Sequence, residues 1–393
     1  MKLSNITFLI FIYSMIISDK ISAQEKNVTI SWSEVASLPD LPDGKQLGVA
    51  GPFVGISGKM MLIAGGSNFP GKKPWKGGKK VNKNEIYALK KLPDGKFECA
   101  LLKDHLPDGI AYGSSVTTEK GIICIGGETD NASCSNSVFR MQFDAETNKL
   151  KFYTLPSFPL PIANCCAALI HNTIYVFGGE SNGIPVSSSF KLDLDNEHAG
   201  WKSIPPLPIA MSHSVAVTQS NGRYPCIYVI GGRSATTSGI SDLHKNTFCY
   251  DPVQQKWQQL ADISDGKVAT NRSAATAVAE NGNNIILIGG DKGDIFHKIE
   301  CYNVAISRSV NEKEKQALLA EKLQLIAHHP GFSRDVYLYN TLTDKWQKLG
   351  ESPFYGQVTT TAMMWGNDIF IPGGEIMPGT RTATVTRGVI NNE

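Results

Sequence analysis

The chain has 393 residues, of which 41% are hydrophobic and 19% are charged, and its formal net charge is +2 at pH 7. This composition is ordinary for a globular protein and excludes an intrinsically disordered chain. The near-neutral charge also gives no reason to expect binding to nucleic acid.

The first 23 residues have the pattern of a secretory signal peptide. Lys2 precedes an apolar stretch at residues 6–17, and the segment ends at a small residue, Ala23, before Gln24. The apolar stretch is shorter than the roughly 20 residues that a membrane-spanning helix needs. We therefore predict an exported, periplasmic mature chain that begins near Gln24 and has no membrane span.

Six Gly-Gly pairs divide the rest of the chain into repeats. The pairs are Gly65/Gly66, Gly126/Gly127, Gly178/Gly179, Gly231/Gly232, Gly289/Gly290 and Gly373/Gly374. Each pair follows a run of strand-forming residues, and successive pairs lie 61, 52, 53, 58 and 84 residues apart. These spacings approach the period of about 50 residues of a kelch blade, which is one four-stranded sheet. The sequence therefore predicts an all-β, six-bladed kelch-type β-propeller.

The two ends of the chain are expected to build the last blade together. A tryptophan such as Trp201 closes most repeats, but only 19 residues follow the last glycine pair. They supply a strand near residues 382–390 and no tryptophan. The missing outer strand is available at residues 28–32, which include Trp32. Closure by N- and C-terminal strands removes the open edge of the sheet, so residues 24–393 should form a single domain.

Polar residues recur where the blades meet one face of the propeller. In an antiparallel blade, the first strand starts and the second strand ends on the same face, so both positions share one rim. The residues after the glycine pairs are Ser67, Asn68, Glu128, Glu180, Arg233, Asp291 and Glu375, and those before the first strands are Tyr112, Asn164, His213, Arg272 and Tyr355. These side chains either bind a hydroxyl-rich ligand or bind water and cap strand ends.

Two insertions belong to the same rim. Residues 69–83, here called the lysine loop, contain six lysines and Trp75. The loop is either solvated or attracts an anion to a neighbouring pocket. A helical insertion is predicted at about residues 305–330, where Asn311 and Glu314 have capping-box spacing. It either covers the pocket as a flap or packs on the outside of one blade.

The segment after the last glycine pair resembles that of a known enzyme family. Residues 374–382 contain Glu375 and Arg381, six positions apart. They resemble the catalytic segment of the N-acetylneuraminate epimerase family, the bacterial sialic acid mutarotases, where a glutamate and an arginine have this spacing. Further similar segments are residues 352–356, residues 111–113 with 126–129, and residues 42–44 with 64–66. Their order differs, so the chain resembles a cyclically permuted branch of the family, with Gly373 where an asparagine is expected.

The resemblance implies an isomerase that interconverts the anomers of N-acetylneuraminate without a cofactor. Mutarotation needs a base for the anomeric hydroxyl and an acid for the ring oxygen, so that the ring opens and recloses. Glu375 and Arg381 are the predicted catalytic residues, with Glu375 as the base. Arg381 should also pair its planar fork with the substrate carboxylate. The remaining candidates for the acid or for substrate binding are Asn68, Tyr112, Glu128 and Tyr355.

Two alternative functions stay open at this stage. In the first alternative the propeller is a non-catalytic module that binds carbohydrate or protein partners. Such a module is open because the fold alone does not determine the function. Glu375 and Arg381 are then a solvated surface ion pair. A copper-dependent sugar oxidase would need histidine and tyrosine ligands on one face. His213 has a clear rim position, whereas His171 lies in a hairpin turn at the opposite end. The eight cysteines show no zinc spacing and are interpreted as small buried hydrophobic residues.

Overall fold

Six four-stranded antiparallel sheets surround a common axis, which confirms the predicted six-bladed propeller. The computed structural model describes residues 28–42, 44–147 and 149–392, and the predicted signal peptide lies outside them. The first strands of neighbouring blades contact one another around the axis. The residues that introduce these strands are therefore the ones that converge on the centre.

Blades 1 to 3 follow one another along the chain. Blade 1 comprises Phe53–Ser57, Met60–Ala64, Glu85–Lys91 and Phe97–His105. Blade 2 comprises Ser114–Thr118, Gly121–Ile125, Val138–Asp144 and Lys149–Thr154. Blade 3 comprises Cys166–Ile170, Thr173–Phe177, Ser189–Asp193 and Lys202–Ile204.

Blades 4 to 6 complete the circle. Blade 4 comprises Val215–Ser220, Pro225–Ile230, Thr247–Asp251 and Lys256–Leu260. Blade 5 comprises Thr276–Glu280, Asn284–Ile288, Asp335–Asn340 and Lys345–Glu351. Blade 6 comprises Met363–Trp365, Asp368–Pro372, Thr384–Asn392 and Val28–Ser37.

Blade 6 is closed by both ends of the described chain, as the sequence predicts. Val28–Ser37 pairs antiparallel with Thr384–Asn392, and Val28 lies opposite Asn392. Apolar residues pack at the interface between each pair of neighbouring blades, including the interface that joins blade 6 to blade 1. At that interface Phe370 packs with Met61. The closure therefore buries apolar surface as well as satisfying a sheet edge.

The glycine pairs are required by the backbone. All twelve glycines have positive φ, between 56° and 113°. An added Cβ at Gly126 would lie 2.3 Å from the carbonyl oxygen of Ile162, in the loop that leads to the next blade. Gly373 shares this conformation, with φ of 64°. Glycine is thus needed both for its φ and for the close approach of neighbouring backbones.

Short ribbons continue beyond the glycine pairs on one face of the propeller. They pair Ser67–Asn68 with Val81–Asn82, Ile110–Ala111 with Glu128–Thr129, Glu180–Ser181 with Ile184–Pro185, Arg233–Ser234 with Asp242–Leu243, and Glu375–Met377 with Thr380–Arg381. Two short 3₁₀ helices are Pro74–Lys76 and Glu197–Ala199. The ribbons carry most of the predicted rim residues.

The helical insertion lies between the second and third strands of blade 5 and contains two helices. These are α1, Asp294–Arg308, and α2, Glu312–Ala327, whereas one helix within about residues 305–330 was expected. Helix α2 begins at the predicted cap, because the Asn311 side chain accepts hydrogen bonds from two backbone amides. Helix α1 starts after Gly293, which has no side chain to cap the helix. The start of α1 is therefore not marked by a capping residue in the sequence. Across the described part of the chain, no helix is long and apolar enough to cross a bilayer.

Most of the cysteines behave as small hydrophobic residues, whereas Cys301 is exposed. All eight lie in the described part of the chain, where they are free thiols, and five of them are buried. Burial raises the pKa of Cys99 and of Cys166 to about 12. These thiols therefore stay protonated and unreactive at neutral pH.

Candidate active site

A closed ring of backbone hydrogen bonds encircles the axis beneath the rim. It is formed by Gly51, Tyr112, Asn164, His213, Ala274 and Thr359. Each amide donates to the carbonyl of the ring residue before it, and Gly51 donates to Thr359, with N···O distances of 2.6–3.3 Å. All six have left-handed φ, between 50° and 67°. The ring lies between a cavity of about 640 Å³ on the rim side and a smaller one of about 240 Å³ among the first strands.

The ring explains which residues before the first strands reach the cavity. Three of the five expected residues are ring members, but blades 5 and 6 use Ala274 and Thr359 instead of Arg272 and Tyr355. Arg272 is fully buried and donates to Asp335 at 2.6 Å, away from the cavity. Tyr355 is 58% exposed and borders a separate groove. Ala274 lies two residues before the first strand of blade 5, as in blades 1 to 4, and Thr359 lies four residues before that of blade 6, so Arg272 and Tyr355 each stand too far before their strands to be ring members.

All four predicted rim carboxylates line the larger cavity. Glu128 forms an ion pair with Lys80 of the lysine loop, at 2.5 Å. Glu180 accepts hydrogen bonds from Ser212 at 2.5 Å and from Asn164 at 3.3 Å. These partners fix both carboxylates at the wall.

Asp291 is the third carboxylate and lies close to a buried histidine. Its Oδ1 accepts a hydrogen bond from the Gly293 amide at 2.8 Å. Burial raises the pKa of Asp291, and the hydrogen bond and nearby positive charges oppose this rise. His329, from the loop after α2, also lines the cavity, and its Nδ1 accepts from the Gly331 amide at 3.0 Å. His329 stands in no local sequence pattern that predicts a site residue.

Glu375 and Arg381 face each other on a two-stranded hairpin. Their spacing of six places them directly opposite in the register of the ribbon. Glu375 Oε1 accepts hydrogen bonds from the Gly379 amide at 2.6 Å and from Arg381 Nη1 at 3.2 Å. Burial raises the pKa of Glu375, while Arg381, the Gly379 amide, Arg233 and Lys73 pull it down. A carboxyl group with a raised pKa, held at a cavity wall, is suited to accept a proton.

The guanidinium of Arg381 makes its contacts with other residues of the protein. Its side chain is 5% exposed, and Nη2 donates to the hydroxyl of Tyr112 at 3.4 Å. The guanidinium also stacks on Phe69, with Cζ 4.6 Å from the ring centre. The Tyr112 hydroxyl in turn shares a hydrogen bond of 2.7 Å with Ser67. Arg381 therefore holds Glu375 in place and joins it to Tyr112.

The lysine loop packs against the hairpin that carries Glu375 and Arg381. Pro74, Trp75 and Lys80 line the cavity. Lys73 Nζ donates to the Gly379 carbonyl at 3.2 Å, and an added Cβ at Gly379 would lie 2.6 Å from Pro74. The loop therefore forms part of the site.

Asn68 lies behind the cavity wall. It is buried, and its amide donates to the Gly48 carbonyl at 3.0 Å. Among the described residues its Oδ1 has no hydrogen-bond partner. Asn68 is absent from the residues that line the cavity, so the predicted contact with sugar hydroxyls is not formed by this wall.

The helical insertion covers the cavity as a flap. Phe296 and Ile299 of α1 and Lys322 and Ile326 of α2 line it. The carboxylate of Glu300, on α1, accepts hydrogen bonds from the backbone amide and the hydroxyl of Ser241, at 2.8 and 2.6 Å. Ser241 belongs to the rim loop of blade 4, so the flap is fastened to the neighbouring blade.

The site chemistry consists of carboxylates, guanidiniums, amines and imidazoles. Within residues 28–42, 44–147 and 149–392, no group of three or more His, Cys, Asp or Glu side chains is arranged to hold a metal ion. His213 lines the cavity, whereas His171 is in an exposed turn, with φ of 51°.

Comparison with known proteins identifies the family. The N-acetylneuraminate epimerase family model matches residues 17–150 and 155–393. The chain is 28% identical over 242 residues to the N-acetylneuraminate epimerase of Salmonella typhi, covering 61% of this chain and 59% of that protein. It is 27% identical over 260 residues to that of Haemophilus influenzae, covering 66% and 64%. The alignments thus span less than two thirds of these relatives, whereas the family model spans nearly the whole chain, and the chain belongs to the N-acetylneuraminate epimerase family.

Proposed function

We propose that this protein interconverts the anomers of N-acetylneuraminate by assisting the opening and reclosure of the sugar ring. The observation that carries the proposal is the partly buried Glu375 carboxylate, which lines the central cavity and is held by Arg381 and the Gly379 amide. Family membership supports the same chemistry.

Glu375 acts as the base in this mechanism. It takes the proton of the anomeric hydroxyl while the bond between the anomeric carbon and the ring oxygen breaks, and the ring oxygen gains a proton. The open-chain keto acid then rotates about the bond between the former anomeric carbon and the next carbon of the sugar chain, and it recloses on the other face. On reclosure the ring oxygen returns its proton to the acid and Glu375 returns its proton to the new anomeric hydroxyl, so the sugar and the enzyme are both regenerated.

Arg381 and Tyr112 support the base. Because Arg381 donates to both Glu375 and Tyr112, it fixes the orientation of the Glu375 carboxylate and partly compensates the negative charge of that carboxylate. Tyr112 lines the cavity and is in contact with Arg381. Of the predicted candidates for the acid, it is therefore the one that we assign to deliver a proton to the ring oxygen, directly or through water.

Nuclear magnetic resonance tests the proposal directly. The α anomer of N-acetylneuraminate, freshly released by a sialidase, is followed as it converts to the β anomer. We expect the wild type to accelerate the conversion and Glu375→Gln to lose about 10²- to 10⁴-fold of that acceleration. Glu119→Gln, at an exposed turn of blade 2, is the matched control and should retain full activity.

Two outcomes would contradict the assignment. Equal rates for the wild type and Glu375→Gln would remove Glu375 from the mechanism. Absence of acceleration by the wild type would instead favour another sugar or the non-catalytic binding module. That module would present a broad face with dispensable carboxylates, whereas these carboxylates line a covered cavity.

We also propose that the mature protein is exported to the periplasm, on the basis of the pattern in residues 1–23. Mass spectrometry of the protein from a periplasmic fraction should find an N-terminus near Gln24. Recovery of the uncleaved chain in the cytoplasm alone would refute export.

A further inference from the structure

Arg233 is a partly buried arginine that forms no ion pair with a carboxylate among the described residues. The sequence has eight arginines, all in the described part of the chain. Five of them pair with carboxylates: Arg140, Arg272, Arg334, Arg381 and Arg387. Arg223 and Arg308 are exposed to solvent, whereas Arg233 lines the central cavity. A cation withdrawn from water is costly unless an anion compensates it, so this guanidinium is prepared for an anionic ligand.

A neutral side chain holds Arg233 in place. Its Nη2 lies 3.3 Å from Nε2 of His213, and a guanidinium can only donate. Nε2 therefore accepts, and Nδ1 carries the proton and donates to Ser212 Oγ at 2.9 Å. Burial, and then the charge of Arg233, lowers the pKa of His213 well below its ordinary value. The neutral imidazole orients Arg233 without cancelling its charge.

The flap fixes the other face of the guanidinium. Arg233 Cζ lies 4.8 Å from the ring centre of Phe296, on α1. Stacking on an aromatic ring leaves the N–H groups at the edge of the guanidinium plane free to donate. Arg233 is therefore held from two sides, and neither contact supplies a negative charge.

The charge of Arg233 faces the space that blades 4, 5 and 6 share. It opposes the burial that raises the pKa of Asp291 and of Glu375, which belong to different blades. All three side chains line the same cavity, so the charge of the guanidinium acts within it. Arg381 differs, because both of its terminal nitrogens are bonded within the protein.

We infer that Arg233 binds the carboxylate of an acidic sugar substrate and determines the preference of the site for acids over neutral sugars. The inference rests on the proposed function and deepens it. In N-acetylneuraminate the carboxylate is attached to the anomeric carbon, so a bidentate pair with Arg233 also brings the reacting carbon into the space that Glu375 faces. Arg381 then serves as a positioning residue for the base, in place of the substrate-binding role expected from the sequence.

The test compares N-acetylneuraminate with its methyl ester, which has the same ring and no negative charge. Exchange between anomers is measured by exchange NMR over a range of concentrations, and binding is measured separately by calorimetry. We expect the wild type to prefer the acid. Arg233→Gln should raise KM for the acid about 10- to 100-fold and leave KM for the ester within about twofold.

Matched variants separate charge from geometry. Arg233→Lys should recover part of the preference, because it keeps the charge and loses the planar fork. Arg223→Gln, at an exposed turn, should behave as the wild type. Arg381→Gln should lower kcat for the acid and the ester alike, since Arg381 holds the base. Thermal unfolding of each variant verifies that it is folded.

The possible outcomes distinguish this inference from the proposed function. If Arg233→Gln keeps the preference for the acid and Arg381→Gln abolishes it, the inference is overturned and the mutarotase proposal stands. If the wild type accelerates neither sugar but binds the acid through Arg233, the mutarotase proposal fails and the anion site stands. Equal affinity of the wild type for the acid and the ester would overturn the inference.

Discussion

At the scale of single residues, burial and charge act in opposite directions on Glu375. Burial raises its pKa, while Arg381 and the Gly379 amide favour the ionised form. The balance leaves the pKa above its ordinary value, and a carboxylate with a higher pKa is a stronger base. The same neighbours hold its Oε1 in one position, so basicity and orientation arise from the same contacts.

This balance predicts the pH dependence of the reaction. Glu375 must be ionised to act as a base, so the rate should fall about tenfold per pH unit once the pH drops below its pKa. Because that pKa is raised from 4.5, the fall should begin at a higher pH than for an ordinary glutamate. Enzymatic rates are measured between pH 4 and 8, with the spontaneous rate subtracted. A half-maximal rate at or below pH 4.5 would contradict a base whose pKa is raised by burial.

Local patterns predicted some of the site residues, and others depend on contacts between blades. The spacing of Glu375 and Arg381 is sufficient to place them opposite each other, because a short hairpin fixes the register. The contact of Arg381 with Tyr112 joins two blades, so no local pattern reports it. The missing carboxylate partner of Arg233 is likewise visible only once all the blades are in place.

At the scale of structural elements, repeated segments were predictable and insertions were less so. The glycine pairs predicted the second strand of every blade because positive φ and crowding admit only glycine there. Residues before the first strand are less constrained, since Tyr112, Ala274 and Thr359 all fit the same ring position. Arg272 and Tyr355 were therefore misplaced. Helix α2 was found through its cap at Asn311, whereas α1 has none.

The attachment of the flap gives a prediction at this scale. Glu300→Ala removes two hydrogen bonds from Ser241 to a charged acceptor, each worth about 1.5–3 kcal/mol. Amides in α1 should then exchange with deuterium at least about tenfold faster, while amides in blade strands stay unchanged. Mass spectrometry resolves these segments. Glu312→Ala, an exposed residue that pairs with Lys315 of the same helix α2, is the control, and equal exchange in α1 for both variants would contradict the attachment.

At the scale of the whole molecule, the strand Val28–Ser37 closes the propeller. It covers the edge of blade 6 and adds Val28 to the apolar cluster between blades 5 and 6. Removing it would expose a row of unpaired backbone groups together with apolar surface, which promotes aggregation. The closed circle therefore depends on one strand that is distant in sequence from its partners.

Truncation and permutation should have opposite effects. A chain that begins at residue 38 should lose its cooperative thermal transition or aggregate. A permuted chain should stay folded if the C-terminus is linked to residue 28 and new ends are opened in the turn near Gly95, because every strand keeps its neighbours. Circular dichroism and size-exclusion chromatography compare the two. A soluble, cooperatively folding truncated chain would contradict the closure argument.

The ring of six backbone hydrogen bonds has an electrostatic consequence. Peptide dipoles in a helix add along one axis and create a positive pole that attracts anions. Around the propeller axis the same groups follow one another in a circle, so their tangential components cancel over a full turn. The scaffold thus offers a ligand no pole of either sign, and discrimination by charge is left to replaceable side chains. Variants with altered sugar preference should therefore be obtainable without disturbing the propeller.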